Sequence, residues 1–319
     1  MSTDDIQRDL TRRTENSPQE LLTRSFFFLC AVLSIVTTVS IILMLTTEAA
    51  KFFTVTAPLM GVDGPTASVV DFLTGTEWVI NNEQFGVLPL VSATLAITVG
   101  SAVVALPLGV ATAIYLSEYA SQRAQRVLKP ALEVLAGVPT VVYGFFAVVY
   151  ITPALRTIIP GLGTFNMLSA SIVVGIMIIP MVASISEDAM SAVPDSLRQA
   201  GYGMGATKFD VSVGIVVPAS LSGIFSSFIL ALSRAIGETM AVTVAAGTQA
   251  NLINPLNPAS YLEGALPMTA AMVTLLTGDV TGGGIAYRSL FAIGLTLFVI
   301  TLVMNVISDV VAQRYREEY

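Results

Sequence analysis

Charge-free stretches alternate with short polar interruptions along most of the chain, and their lengths predict helices that cross a membrane. The first, Ser25 to Thr47, is long enough for a spanning helix, which needs about 20 apolar residues. Others run from Gln84 to Ser117, Val134 to Leu155, Thr157 to Ser186, Val211 to Ser233, Thr239 to Leu262 and Ser289 to Ser308. Arg234 and Glu238 interrupt what otherwise reads as one helix from Ala219 to Gly247. The pattern predicts six spans, over residues 25–47, 88–116, 132–152, 168–188, 219–247 and 287–309, in an all-α integral membrane fold. Ala265 to Leu276 is too short to cross and reads as a surface or re-entrant piece packed against protein. The predicted order is a cytoplasmic tail over 1–24, a first spanning helix, an extracytoplasmic loop over 48–87, a five-helix core over 88–310 and a cytoplasmic tail over 311–319.

Composition agrees. Of the 319 residues 54% are hydrophobic and 12% charged, with a mean hydropathy of +0.78; soluble domains carry about 25% charged residues. The start is too polar for a signal peptide, so the first helix reads as an uncleaved anchor. With the N-terminus inside, eleven cations fall on inner segments: Arg8, Arg12, Arg13, Arg24, Arg123, Arg126, Lys129, Arg198, Lys208, Arg314 and Arg316. Only Lys51, Arg156 and Arg288 fall outside, the asymmetry of the positive-inside rule. The single cysteine, Cys30, excludes an intrachain disulfide, and the absence of histidine removes the usual general base and zinc-hydrolase chemistry. No metal or cofactor is expected, and a net charge of −7 excludes nucleic acid as a natural partner. Thr281-Gly282-Gly283-Gly284 lacks the lysine and hydroxyl residue of a phosphate-cradling loop. Trp78 is placed to sit at the membrane–water interface.

The polar interruption 190–218 is the most informative loop. Pro194 suits the first position of a helix, where its missing N–H costs nothing. A short helix to Tyr202 sets Leu197, Ala200, Gly201 and Met204 on one face. Gly203 and Gly205 then break it, glycine alone taking left-handed angles freely. Thr207 with Asp210 reads as a capping box opening a second helix. The predicted product is helix, glycine turn, helix.

Arg234 falls near the middle of its predicted span, roughly 20 Å of helix from either end and too far to reach water. A charge there costs several kcal/mol unless it is paired or faces a wet cavity. Glu238 is one helical turn on and can pair with it, with Gly237 opening space beside them. Two readings stand: an ion pair locking helices, or a path for an oxyanion, which a planar guanidinium binds bidentately.

The loop resembles the EAA loop of ABC-importer membrane subunits, EAA-x3-G-x9-I-x-LP. Here Gln199, Ala200 and Gly201 are followed by Gly205, Ile215 and Pro218 at matching spacing, with Gln for Glu, Gly for the second Ala and Val217 for Leu. The run from Ser233 to Val242 is similar to the fifth-helix signature of permeases of the phosphate-specific (Pst) ABC importer. Leu135 to Gly144 is similar to that family's third span, and Ile178-Ile179-Pro180 precedes the loop as it does there. The long first loop and the Ala200-Tyr202-Gly203 variant resemble the C-type subunit. The resemblance implies a type I ABC importer (MetI-like) permease fold in a prokaryotic cytoplasmic membrane, with a loop that docks on an ATPase. It implies as partners an A-type permease in a heterodimer, two ATPase copies and an extracytoplasmic phosphate-binding protein, and it places Arg234 and Glu238 on the phosphate path. One hypothesis has Glu238 hold Arg234 while the path is empty. Rival expectations are the same machine for sulfate, molybdate or a phosphonate, and a secondary transporter, which needs no docking loop. An intramembrane enzyme is disfavoured: Leu276 stands where a Gly-x-Gly-Asp pair at Asp279 needs glycine, and no Gly-x-Ser-x-Gly occurs.

Overall fold

Helices α3 (Leu88–Ile114) and α6 (Met167–Ser191) form the central pair. They approach closely through small residues: a methyl on Gly109 would lie 2.6 Å from Val182, and one on Gly175 would lie 2.8 Å from Val104. Small residues allow this packing where lipid removes the hydrophobic drive between helices. The computed structural model describes residues 18–54, 67–278 and 284–314. Expectations for Arg8, Arg12, Arg13, Asp279, the glycines before Gly284 and the tail from 315 lie outside them.

In chain order the elements begin with α1 (Pro18–Thr54), α2 (Val69–Thr74), a two-residue-per-strand antiparallel hairpin of β1 (Trp78–Val79) and β2 (Gln84–Phe85), and α3. Then come α4 (Gln122–Gly137), α5 (Thr140–Arg156), α6, α7 (Asp195–Gly203), α8 (Lys208–Ala219) and α9 (Leu221–Ile236). The last are α10 (Met240–Ala245), α11 (Met268–Thr277) and α12 (Ile285–Arg314). α1, α3, α6 and α12 are each long and apolar enough to cross a membrane, and two bent pairs, α4–α5 and α8–α9, bring the spans to as many as six.

Several spans differ from the sequence expectation. The first lies within a longer helix, α1. The third is split by a 90° bend between α4 and α5. Pro139 disfavours helical angles in the residue before it, so Val138 is extended, with ψ of 130°. A 69° bend separates α8 from α9. Pro218 cannot donate to the carbonyl four residues back, and the preceding turn, Ser212–Val216, widens to a π-helix. The fifth span stops at Ile236, well short of Gly247.

The core has two further parts, at opposite ends of α3. At one end Phe52, Phe72, Trp78 and Phe85 pack edge to face, so Trp78 is buried among aromatic rings. α11 packs into this region with Met268, Ala270 and Ala271 buried, which makes it interior, not surface. At the other end Ala113, Met190, Val193, Val211, Val216 and Ile224 form an apolar floor beneath the loop 194–218.

Candidate functional site

The loop 194–218 folds as helix, glycine turn, helix. α7 begins at Asp195, one residue later than expected, with Pro194 outside it as the cap at ψ 136°. The predicted face divides: Leu197 and Gly201 turn inward, while Ala200 and Met204 are exposed. Gly205 has φ +84°, the left-handed turn that glycine permits, and a methyl there would meet nothing within 4 Å. The capping box forms as expected: Thr207 accepts from the Asp210 N–H, and Asp210 accepts from the Thr207 N–H at 3.0 Å and from its hydroxyl at 2.6 Å. These bonds, the hydroxyl first, hold the Asp210 carboxyl below its ordinary pKa. Their contribution is therefore present above the ordinary carboxylate range and is lost as pH falls through the lowered value.

The spacing between Gly201 and Ile215 has a steric reason. A methyl on Gly201 would lie 2.7 Å from Ile215 Cδ1 and 2.9 Å from Val211, so α7 and α8 close on each other only because position 201 has no side chain. Pro218 is exposed at the bend into α9, and Gln199 and Ala200 are exposed on α7. The outer surface of this knuckle is apolar for a polar segment: Met204 is 81% exposed, and Tyr202 and Phe209 are also exposed.

The second candidate region departs from expectation. Arg234 and Glu238 do not pair. Arg234 lies in the last turn of α9, where a cation meets the negative helix end, and is exposed. The helix then breaks at Gly237–Thr239. Glu238 is 6% exposed, and its Oε1 accepts from the Ala241 N–H at 3.2 Å, satisfying a donor at the start of α10. Its backbone carbonyl accepts from the Thr269 hydroxyl at 2.7 Å, tying the break to α11. The two charges thus serve two helix ends instead of each other. Gly237 is exposed with φ −84°, and a methyl on it would be 3.7 Å from its nearest neighbour, so neither angle nor space requires glycine.

Arg234 instead lines a cavity of about 490 Å³, walled by Leu116 at the end of α3, by Lys129, Leu132 and Glu133 of α4, and by Met177 to Asp188 of α6. Within it Lys129 pairs with Glu187 at 2.8 Å, and Ser191 donates to the same carboxylate at 3.0 Å. Among the described residues Arg234 has no ion pair. Its guanidinium is open to an anion in the cavity. Glu238 does not line this cavity.

Sequence reasoning missed Glu118 and Arg198. Arg198 donates to Glu118 at 3.1 Å, across eighty positions, and to the carbonyls of Met190 at 2.8 Å and Val193. The pairing partner lies in another span, so no local spacing announces it.

Residues 105–317 match the family described as binding-protein-dependent transport system inner membrane component. The chain is 31% identical to a probable ABC transporter permease protein, YqgH of Bacillus subtilis, over 92% of this chain and 91% of that protein. It is 33% identical to the phosphate transport system permease protein PstC of Mesorhizobium japonicum, over 76% of this chain and 78% of that one. Among solved structures, a chain of a bacterial ABC transporter involved in the import of the acidic polysaccharide alginate superposes with a TM-score of 0.63 at 15% identity, covering 96% of this chain and 100% of that one. A chain of the inward-facing MetNI methionine ABC transporter gives 0.53 at 17% identity, covering 73% and 95%. The chain belongs to the family of inner membrane components of binding-protein-dependent transport systems: it is a multi-pass permease of an ABC importer and not itself a catalyst.

Proposed function

We propose that this permease is the C-type subunit of an importer that passes inorganic phosphate into the cytoplasm. It pairs with an A-type permease, receives phosphate from an extracytoplasmic binding protein, and rests on two copies of a cytoplasmic ATPase that hydrolyses the ATP. The knuckle 194–218 is the docking element: its exposed Tyr202, Met204 and Phe209 fit a partner's apolar groove. In this orientation both termini and the knuckle are cytoplasmic, so a cysteine at Lys208 resists labelling from outside intact cells while one at Asp71 is labelled.

The observation that carries the substrate class is Arg234, exposed and free of any ion pair among the described residues, on the wall of a cavity. Its planar fork binds an oxyanion bidentately, as an ammonium cannot. Glu238 acts at one remove, holding the α9–α10 break that presents Arg234, with Gly237 in the exposed backbone beside it. Phosphate is favoured over sulfate by Glu133 and Asp188 on the same wall. A protonated phosphate oxygen donates to a carboxylate, whereas sulfate has no proton to give at neutral pH. The relatives named phosphate permeases support the same substrate.

The test is ATP-driven phosphate uptake by the complete complex in vesicles, with sulfate, molybdate and a phosphonate as competitors. Phosphate uptake that sulfate does not inhibit is the expected result. Equal transport of sulfate overturns the substrate, and uptake that persists without the ATPase overturns the importer.

A further inference from the structure

The arginine that the motif reading passed over joins three elements. Arg198 sits on the inward side of α7, its side chain 15% exposed. It donates to the carbonyls of Met190, in the last turn of α6, and of Val193, two residues beyond that helix. The nitrogen that donates to Met190 also reaches Glu118, 5% exposed, in the π turn Tyr115–Tyr119 that closes α3. Glu118 also accepts from the Ser117 hydroxyl at 3.0 Å, which fixes its direction. The next residue, Tyr119, carries the Lys208 ammonium over its ring at 5.1 Å, and Lys208 is the first residue of α8. One short turn of α3 is therefore gripped by a cation from each half of the knuckle. Besides these two grips, α7 packs through Leu197 on the apolar floor and through Gly201 on α8, contacts that have no polar direction.

What lies beyond the grip matters. α3 and α6 interlock through Gly109 and Gly175. The same two helices wall the cavity at Arg234, through Leu116 and the residues from Met177 onward.

We infer that the Arg198–Glu118 joint, with Lys208 on Tyr119 as its second grip, transmits movement of the knuckle to the α3–α6 pair and so to the walls of the Arg234 cavity. Arg198 and Glu118 are positioning residues for coupling: they touch neither substrate nor nucleotide. The inference rests on the knuckle being the ATPase dock. Removing one partner leaves a buried charge uncompensated and confuses coupling with stability. The informative variant is Arg198→Met with Glu118→Leu, which removes both charges and keeps bulk.

The measurement is phosphate imported per ATP hydrolysed by the full complex in vesicles, normalised to assembled complex. The double variant is expected to bind its ATPase and hydrolyse ATP while its import per ATP falls about tenfold, within the range of coupling between distant sites. Arg198→Lys is expected to be impaired too, because an ammonium cannot reach three acceptors in a fixed fork. A double variant that imports at the wild-type ratio overturns the inference. Should that variant fail to assemble, Glu118→Gln, which keeps shape and an acceptor but loses charge, decides: a wild-type ratio there also overturns it. Met204→Asp, at the exposed tip, separates the two levels. If it leaves ATPase binding and import unchanged, the docking role falls and takes the joint with it. If it releases the ATPase while the double variant imports normally, the joint alone is wrong.

Discussion

In the knuckle, residues near one another in sequence become neighbours in space; at the break after α9 they part. Thr207 and Asp210 cap one helix, and Gly201 meets Ile215 across a turn made by Gly205. Arg234 and Glu238, four positions apart and of opposite charge, serve different helix ends and face different surroundings. The difference teaches what a spacing rule assumes. An i, i+4 pair forms only if the helix continues between its members, and here it stops at Ile236.

The sharpest way to break this comparison is Arg234→Gln. Import per assembled complex is expected to fall about 100-fold, the scale of losing a charged donor aimed at an anion. Thermal stability should change little, because no buried partner is stranded. A loss of about 3–5 kcal/mol, the cost of breaking a buried pair, would mean that Arg234 and Glu238 pair after all.

Gly201→Val tests the knuckle's side of the contrast. The added methyls meet Ile215 and Val211, and overpacking of this kind costs about 1–3 kcal/mol. Ile215→Ala in the same chain should recover part of it, read as the unfolding temperature of the complex; simple additivity would mean that the two residues do not touch. Glu238→Leu should cost a similar amount, about 1–3 kcal/mol, by leaving the buried Ala241 N–H unpaired. Combined with Arg234→Gln its stability effect should be additive within about 0.5 kcal/mol, as for groups that share no contact.

Two glycines give the smallest effects and the finest contrast. Gly205→Ala has open space but a left-handed backbone, so it should cost about 1–2 kcal/mol. Gly237→Ala has ordinary angles and room, so stability and import should stay near wild type. A transport defect in Gly237→Ala without loss of stability would show that the break flexes at that residue during the cycle.

What the sequence by itself determined was whatever depends on short range or on sums. The apolar runs, the capping box and the glycine turn are set by propensity, solvent preference and backbone sterics over a few residues. They were legible without coordinates, as was Gly201's place in the pattern, though not its contact with Ile215. Only the tertiary structure decided where the spans bend, that Trp78 is buried among phenylalanines, that α11 is interior, and that Arg234 opens on a cavity while Glu238 closes a helix start. The Arg198–Glu118 joint belongs here too. Helix ends, cavities and long-range ion pairs exist only when elements distant in the chain are brought together, and there packing, rather than spacing, chooses which charges meet.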